Sequence, residues 1–139
     1  MVDGKMVRIV LVAVVVVLVL YLFVRPPIAV SEATYSSTGK SSAVYFEVKN
    51  WGLGKACIVD AEIEGIDAPV HLHRSVHVGG KMVMEMVDEV CVSPLSSIEF
   101  KRGGLHVMVM SGESLDGRTV VLKLSDGRVL ETVIVGSVG

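Results

Sequence analysis

The chain has 139 residues, of which 51% are hydrophobic and 20% charged, and its formal net charge is −2. This length fits one domain of ordinary size plus one extra segment, and it excludes a multidomain enzyme. The near-neutral charge provides no basic surface for nucleic acid, and the apolar composition excludes a disordered chain. The two cysteines are too few for a structural zinc site of their own or for a dense disulfide framework.

The first apolar segment runs without a polar break from Ile9 to Val24, and Met6 and Val7 extend it past Arg8. A bilayer core of about 30 Å needs about 20 helical residues, with a lower limit near 17. The segment therefore predicts one transmembrane helix. The sequence Arg25-Pro26-Pro27 is expected to end it, because proline disfavours helical geometry in the residue before it. Residues 1–27 are accordingly interpreted as a membrane anchor.

A cleaved signal peptide is the alternative, since it shares the basic start and the apolar centre. Its apolar region usually spans about 7–15 residues and ends at a small-x-small site, whereas this run is longer and no such site follows. No cysteine follows closely enough for lipoprotein processing either. The basic residues Lys5 and Arg8 weakly favour an inside N-terminus. We therefore expect a single-pass protein of the cell membrane with its domain on the extracytoplasmic side.

Residues 28–139 predict an all-β domain, because short alternating runs are separated by turn residues. Seven to nine strands at this spacing indicate an antiparallel sandwich or barrel. The strand candidates are Ala43–Val48, Ala56–Ile63, Val70–His73, Lys81–Val87, Ser97–Phe100, Leu105–Met110, Val120–Leu124 and Val129–Val135. The last two flank Asp126-Gly127, which predicts a tight hairpin whose two central residues both have positive φ.

Histidine and methionine are confined to one part of this domain. Apart from Met1 and Met6, they all lie between positions 71 and 110: His71, His73, His77, Met82, Met84, Met86, His106, Met108 and Met110. Because side chains alternate along a strand, the methionines of each candidate strand share one face, and His106 shares the face of Met108. Methionine on a strand is usually core packing, which does not explain the histidines in register. Thioether sulfur selects Cu(I), and imidazole accepts copper.

Four of these residues, His73, Met84, His106 and Met108, have the spacing His-x10-Met-x21-His-x-Met. This spacing closely resembles the signature of the periplasmic copper chaperone family often called PCuAC. Residues 43–50 with Gly52 resemble an early strand and turn of that family, and residues 103–110 resemble its Gly-Gly turn and His-x-Met strand.

The resemblance implies a cupredoxin-like, antiparallel Greek-key sandwich in which these four side chains bind Cu(I). It also implies a protein acceptor, either the copper site of cytochrome c oxidase or an assembly factor. Arg74 departs from the family pattern, which often has Met or Glu after the first histidine, and strand alternation is expected to point it to solvent.

The remaining candidates have simpler interpretations. His71 and His77 are expected to be surface histidines, and Met82, Met86 and Met110 are expected to pack as apolar residues around the site. For Cys57 and Cys91, a disulfide, two buried free thiols and a copper role all remain open.

No thiolate stands near His106 as in a blue-copper centre, and no nucleophile motif or phosphate loop is present, so we expect no enzyme. The sequence favours an extracytoplasmic Cu(I) metallochaperone that delivers copper to a membrane oxidase or its assembly factors. A membrane-tethered structural or adhesion sandwich is one alternative, and a copper storage or sensing domain is another.

Overall fold

The structure, a computed structural model, describes residues 3–24 and 27–138. Its one helix in those residues, α1, spans Gly4–Val24 and is long and apolar enough to cross a membrane, judged by length and composition. No residue of α1 is buried against protein, so its apolar surface is left for another apolar environment, as lipid would provide. The predicted stop at Arg25 and Pro26 lies outside the described residues.

The described residues after α1 form strands and loops. Twelve strands follow in chain order: β1 (Ile28–Val30), β2 (Ala33–Ser37), β3 (Ser42–Tyr45), β4 (Glu47–Asn50), β5 (Ala56–Ile63), β6 (Val70–Val78), β7 (Lys81–Met86), β8 (Val90–Val92), β9 (Ser96–Glu99), β10 (Leu105–Val109), β11 (Thr119–Leu124) and β12 (Val129–Ser137). The strand candidates missed β1 and β8, whose three residues give no readable alternation, and also the five-residue β2. One candidate is divided between β3 and β4.

The strands form two sheets. The larger has the order β7-β6-β10-β3-β2-β12-β11-β5-β8, and the smaller has the order β1-β4-β9. Every strand pair is antiparallel except β2 with β12, which is parallel. The large sheet also curls, because β5 contacts β6 in addition to its paired neighbours. The predicted cupredoxin-like sandwich is confirmed, with this one parallel pair as an exception to the antiparallel expectation.

The predicted strand at positions 43–48 is in fact divided between the two sheets. β3 belongs to the large sheet and β4 to the small one, and Phe46 lies at the crossing between them. The alternation nevertheless continues through the crossing, since Val44, Phe46 and Val48 are all buried. The ring of Phe46 stacks on Phe100 with 4.4 Å between centroids. One continuous segment therefore joins the sheets and closes this edge of the core.

The hairpin between β11 and β12 is present, but its turn differs from the predicted type. Gly127 has a φ of +91°, whereas Asp126 is not among the residues with positive φ. The amide of Gly127 donates to the Leu124 carbonyl at 3.1 Å. The Asp126 carboxylate accepts the amide of Arg128 at 2.9 Å, which closes the turn from the side chain. The prediction of two positive φ angles was wrong because the Leu124 amide also donates to the Arg128 carbonyl at 2.9 Å, so the loop has three residues and one left-handed glycine.

Cys57 and Cys91 face each other in the antiparallel pair of β5 and β8 and form a disulfide. The described part of the chain has no free cysteine. Of the three interpretations left open by the sequence, the structure has the disulfide, which links an edge strand of the large sheet to its neighbour.

Alternating strand positions supply the core. Its largest fully buried apolar side chains are Phe100, Ile58, Leu115, Leu122, Ile134, Val44, Val48, Val92, Val107, Val109 and Val120. Polar residues buried with them in the described chain are Ser42, Asn50, Thr132 and His106. The first three place their side-chain polar groups in hydrogen bonds to backbone groups. His106 differs, because only one of its ring nitrogens has a partner.

Candidate metal centre

The adjacent strands β7, β6 and β10 present histidines and methionines on one face. His73 lies opposite His106 on one side and opposite Met86 on the other, and His71 lies opposite Met108. Directly opposed residues in an antiparallel pair point to the same face. We call this surface the His/Met face; its members are His71, His73, His77, Met82, Met84, Met86, His106 and Met108. The opposite face of the same strands contributes Leu72 and Val107 to the core.

His106 is the fixed member of the His/Met face. Its side chain is only 2% exposed, and its Nδ1 lies 3.0 Å from the carbonyl oxygen of Gly104. Because a carbonyl oxygen only accepts, Nδ1 carries the proton, and neutral His106 has its lone pair on Nε2. That Nε2 is buried and has no hydrogen-bond partner among the described residues. The Gly104 carbonyl thus selects the tautomer and orients the ring, as outer partners of metal-binding histidines commonly do.

His73 faces His106 across the strand pair, with 5.7 Å between the ring centroids. Both of its ring nitrogens are shielded from solvent and lack a hydrogen-bond partner in the described part of the chain. Burial lowers the pKa of His73 below its ordinary value of 6.5, and the neighbouring His106 and His71 lower it further. The structure therefore favours the neutral ring, which is the form that binds a metal ion.

Three of the four predicted ligands lie close together in the sheet, and the fourth lies one row away. His73, His106 and Met108 occupy neighbouring positions on β6 and β10, and Met108 is half-buried. Met84 lies one row further along the hairpin, opposite Ser75, while Met86 is the methionine directly opposite His73. Diagonal neighbours in a sheet are about 7–8 Å apart, which long side chains can bridge. Met84 and Met86 are therefore both within reach of His73.

The methionines expected to pack as apolar residues do not do so. Met82, Met86 and Met110 are 54%, 60% and 51% exposed, so the packing interpretation was wrong for all three. The sequence pattern could not separate these cases, because alternation places residues on a face without showing whether another layer covers it. Here the hairpin of β6 and β7 lies at the edge of the sheet and leaves its methionines uncovered.

The two other histidines also differ from each other. His77 is exposed, as expected for a surface histidine. His71 is half-buried, and its ring stacks near His73 with 6.1 Å between the centroids. His71 therefore belongs to the surroundings of the histidine pair. No sequence pattern signals this contact or the role of the Gly104 carbonyl, apart from the glycines that precede β10.

The charged residues of these strands lie on the opposite face. Arg74 points away from the His/Met face, as expected, and its guanidinium binds the Glu85 carboxylate at 2.7 Å. The described chain contains one close group of histidine, cysteine or carboxylate ligands, formed by Cys57, Glu89 and Cys91, and two of these are already joined in the disulfide. The His/Met face thus offers neutral nitrogen and sulfur donors, a set that suits a soft cation better than magnesium or calcium.

The chain folds as a cupredoxin-like β-sandwich that carries nitrogen and sulfur donors on one face. Known proteins that resemble it have the same fold. A family model described as LpqE-like lipoprotein matches residues 22–128. The chain therefore belongs to the LpqE-like family. The first cysteine of the chain is Cys57, which lies on β5 in the sandwich. The sequence near α1 therefore contains no cysteine to which a lipid could be attached, as it would be in a lipoprotein. No curated protein matches the sequence.

Solved structures with a similar fold include PCuAC domains. The copper-bound PCuAC domain from PmoF2 aligns with a TM-score of 0.60 at 13% identity, over 81% of this chain and 93% of that one. The solution structure of CuI-DR1885 from Deinococcus radiodurans aligns with a TM-score of 0.63 at 24% identity, over 81% of this chain and 80% of that one. The apo PCuAC domain from PmoF1 gives a TM-score of 0.58 at 17% identity, over 78% and 93%.

Proposed function

We propose that this protein binds one Cu(I) on the His/Met face and carries it to a protein acceptor. The ligands are His73, His106, Met108 and Met84. The observation that carries the proposal is the facing pair of His73 and His106. The Nε2 of buried His106 and both ring nitrogens of half-buried His73 are shielded from solvent and have no hydrogen-bond partner among the described residues. A buried polar atom without a partner costs about 1–3 kcal/mol, and a bound metal ion removes that cost.

The donor chemistry supports Cu(I) over other metals. Zinc sites are built from cysteine, histidine and carboxylate, whereas thioethers select Cu(I). The three methionines of β7 are each more than half exposed. Leaving large apolar side chains in water forgoes the free energy of burial, so core packing does not account for methionine at these positions.

The structural neighbours support the same cargo. One is described as copper-bound and another as a Cu(I) form. We propose that this chain shares that property, on the basis of its fold together with the donor set on its own β6, β7 and β10.

Carriage and transfer fit the site better than catalysis or electron transfer. The donors are neutral, the site has no thiolate, and it opens at the edge of the sheet, where a partner protein has access to the methionines. We propose that α1 anchors the chain in the cell membrane with the sandwich on the extracytoplasmic side. The acceptor there would be the copper site of a membrane oxidase such as cytochrome c oxidase, or an assembly factor.

The test is an anaerobic titration of the full chain in detergent with Cu(I) against a competing chelator. We expect one tightly bound ion. Met108→Leu should weaken that ion strongly, because a methylene has no lone pair to donate, while this volume-conserving change should cost less than about 1.5 kcal/mol of stability. Met84→Leu should also weaken it.

Met82→Leu is the matched control for Met84→Leu. Both methionines are 54% exposed on the same face of β7, and they differ in their distance from the histidine pair. Equal losses of tight binding at both positions would contradict the ligand set. Unchanged affinity in every methionine variant would contradict the copper site. Several ions of comparable affinity would favour storage, and no bound copper would favour a structural or adhesion domain whose exposed methionines contact a partner.

A further inference from the structure

The outer end of the β6–β7 hairpin carries a second histidine–methionine pair that the proposed site does not use. His77 and Met82 lie directly opposite each other in the outermost row of the His/Met face, one residue pair in from the turn. Both are exposed, Met82 by 54%. In such a pair the Cβ atoms are about 4.5–5.5 Å apart, so an imidazole nitrogen and a thioether sulfur can converge on one ion.

The turn fixes this pair in register. Gly79 and Gly80 connect the strands with φ of +58° and +80°, and Val78 pairs with Lys81 on either side of them. Two central residues with positive φ are typical of the two-residue hairpin turn that matches the twist of paired strands. The ligand atoms of His77 and Met82 are therefore presented together by the backbone, and no distant loop has to fold over them.

We infer that His77 and Met82 form a second Cu(I) site, an outer loading site from which copper passes along the hairpin to the inner site. This inference rests on the proposed function for the identity of the inner site. Successive rows on one face of a strand are about 7 Å apart, at about 3.3 Å per residue. Met84 lies in the row between the outer pair and the row of His73 and Met86.

Transfer between the two sites is a ligand exchange. The Met84 sulfur binds the ion as the His77 nitrogen leaves, the Met82 sulfur leaves as the inner histidines bind, and the ion remains Cu(I) throughout. All the ligands are neutral, so the step needs no electron and releases no proton. The ion then gains the two ring nitrogens of His73 and His106, which are shielded from water. The outer site is the weaker one because its two ligands are exposed to water that competes for the ion.

The test uses the full chain in detergent with methionine labelled at its methyl carbon. The probe is Cu(I) alone, added anaerobically against chelators of two strengths. We expect two bound ions in the unchanged protein, one tight and one weaker, and the Met82 methyl signal should shift with the weaker one. His77→Gln and Met82→Leu should each weaken the second ion at least about tenfold, a loss of roughly 1.4 kcal/mol, and leave the first unchanged.

Met110→Leu is the control, because Met110 is also half exposed but lies beyond the end of β10, away from the hairpin. A second ion that persists in the double variant of His77 and Met82 would overturn the assignment to the hairpin. A single ion in the unchanged protein would overturn this inference and leave the proposed function standing. No bound ion at all would overturn both.

Discussion

Asn50 is a single buried residue on which one corner of the sandwich depends. Its side-chain amide donates to the carbonyls of Val92 at 3.0 Å and Gly54 at 2.8 Å, and its oxygen accepts the amide of Gly52 at 2.9 Å. Asn50→Ala would leave these three groups without that partner. We expect a loss of at least about 2 kcal/mol in the free energy of unfolding, since each buried unsatisfied group costs about 1–3 kcal/mol.

Chemical denaturation of the full chain in detergent measures this loss. Lys49→Ala at the exposed neighbouring position is the control and should change stability by less than about 0.5 kcal/mol. Equal stability of the two variants would show that water replaces the three hydrogen bonds of Asn50.

His73 gives the protein a defined response to acid. Burial, then His106 and His71, lower its pKa below 6.5, so below that pH the unfolded chain takes up a proton that the folded chain resists. The free energy of unfolding should therefore be constant above pH 6.5 with respect to this group and fall as the pH drops below it. Cu(I) affinity should follow the same direction, because protons compete with copper only once the folded ring begins to titrate.

Ring NMR of His73 and Cu(I) titrations between about pH 5 and pH 8 measure both effects. His73→Gln removes the titrating ring and should flatten this part of the stability profile. A His73 ring that titrates at or above pH 6.5 would contradict the prediction.

At the residue scale, the sequence predicted which side chains share a face and which chemistry they offer. Alternation is a local property, so it placed His106 and Met108 together on β10 and directed Arg74 to the other side. Exposure depends on layers that are distant in sequence, which is why Met82 and Met86 were misassigned to packing. The hydrogen bond from His106 to Gly104 depends on the local turn geometry and has no residue signature of its own.

At the scale of elements, the disulfide ties β8 to β5. It closes a loop with a sequence separation of 34 residues, and for such a loop the chain-entropy model gives a stabilisation of about 3–4 kcal/mol. The double variant Cys57→Ala and Cys91→Ala should lose stability by that order. The protein should resist thiol alkylation when unfolded without reductant, and immediate labelling of both cysteines would contradict the bridge.

The elements themselves were predictable where a strand alternates over several residues, as in β5, β11 and β12. Three-residue strands were missed, and the division between β3 and β4 was not visible, because Phe46 keeps the alternation while the backbone changes sheets. The register that places Met86, and not Met84, opposite His73 follows from the turn at Gly79 and Gly80. Spacing in the sequence alone does not contain it.

At the scale of the whole molecule, the proposed anchor α1 would tether the sandwich to a membrane. We expect the full chain to remain with membranes after alkaline washing, and protease added to intact cells to degrade the sandwich. Val15→Arg places a charge at the middle of α1, which costs about 2.5–3.5 kcal/mol in a membrane, and should shift the protein toward the soluble fraction. Val133→Arg on an exposed strand position is the control.

Recovery of an N-terminally shortened chain in the soluble fraction would contradict a retained anchor. Protection of the sandwich from external protease would contradict its sidedness.

The position of the His/Met face across an interior strand and an edge strand has a kinetic consequence. β10 is paired on both sides, by β6 and β3, whereas β7 is paired only with β6 within the described chain. The methionines on the edge strand β7 can therefore dissociate from a bound ion one at a time, while the ligands on the interior strand β10 stay bound. In the proposed transfer, an incoming acceptor would bind copper from the open edge before His106 releases the ion, which is associative exchange. The release rate should then rise with acceptor concentration, and spontaneous loss of copper to water should remain slow.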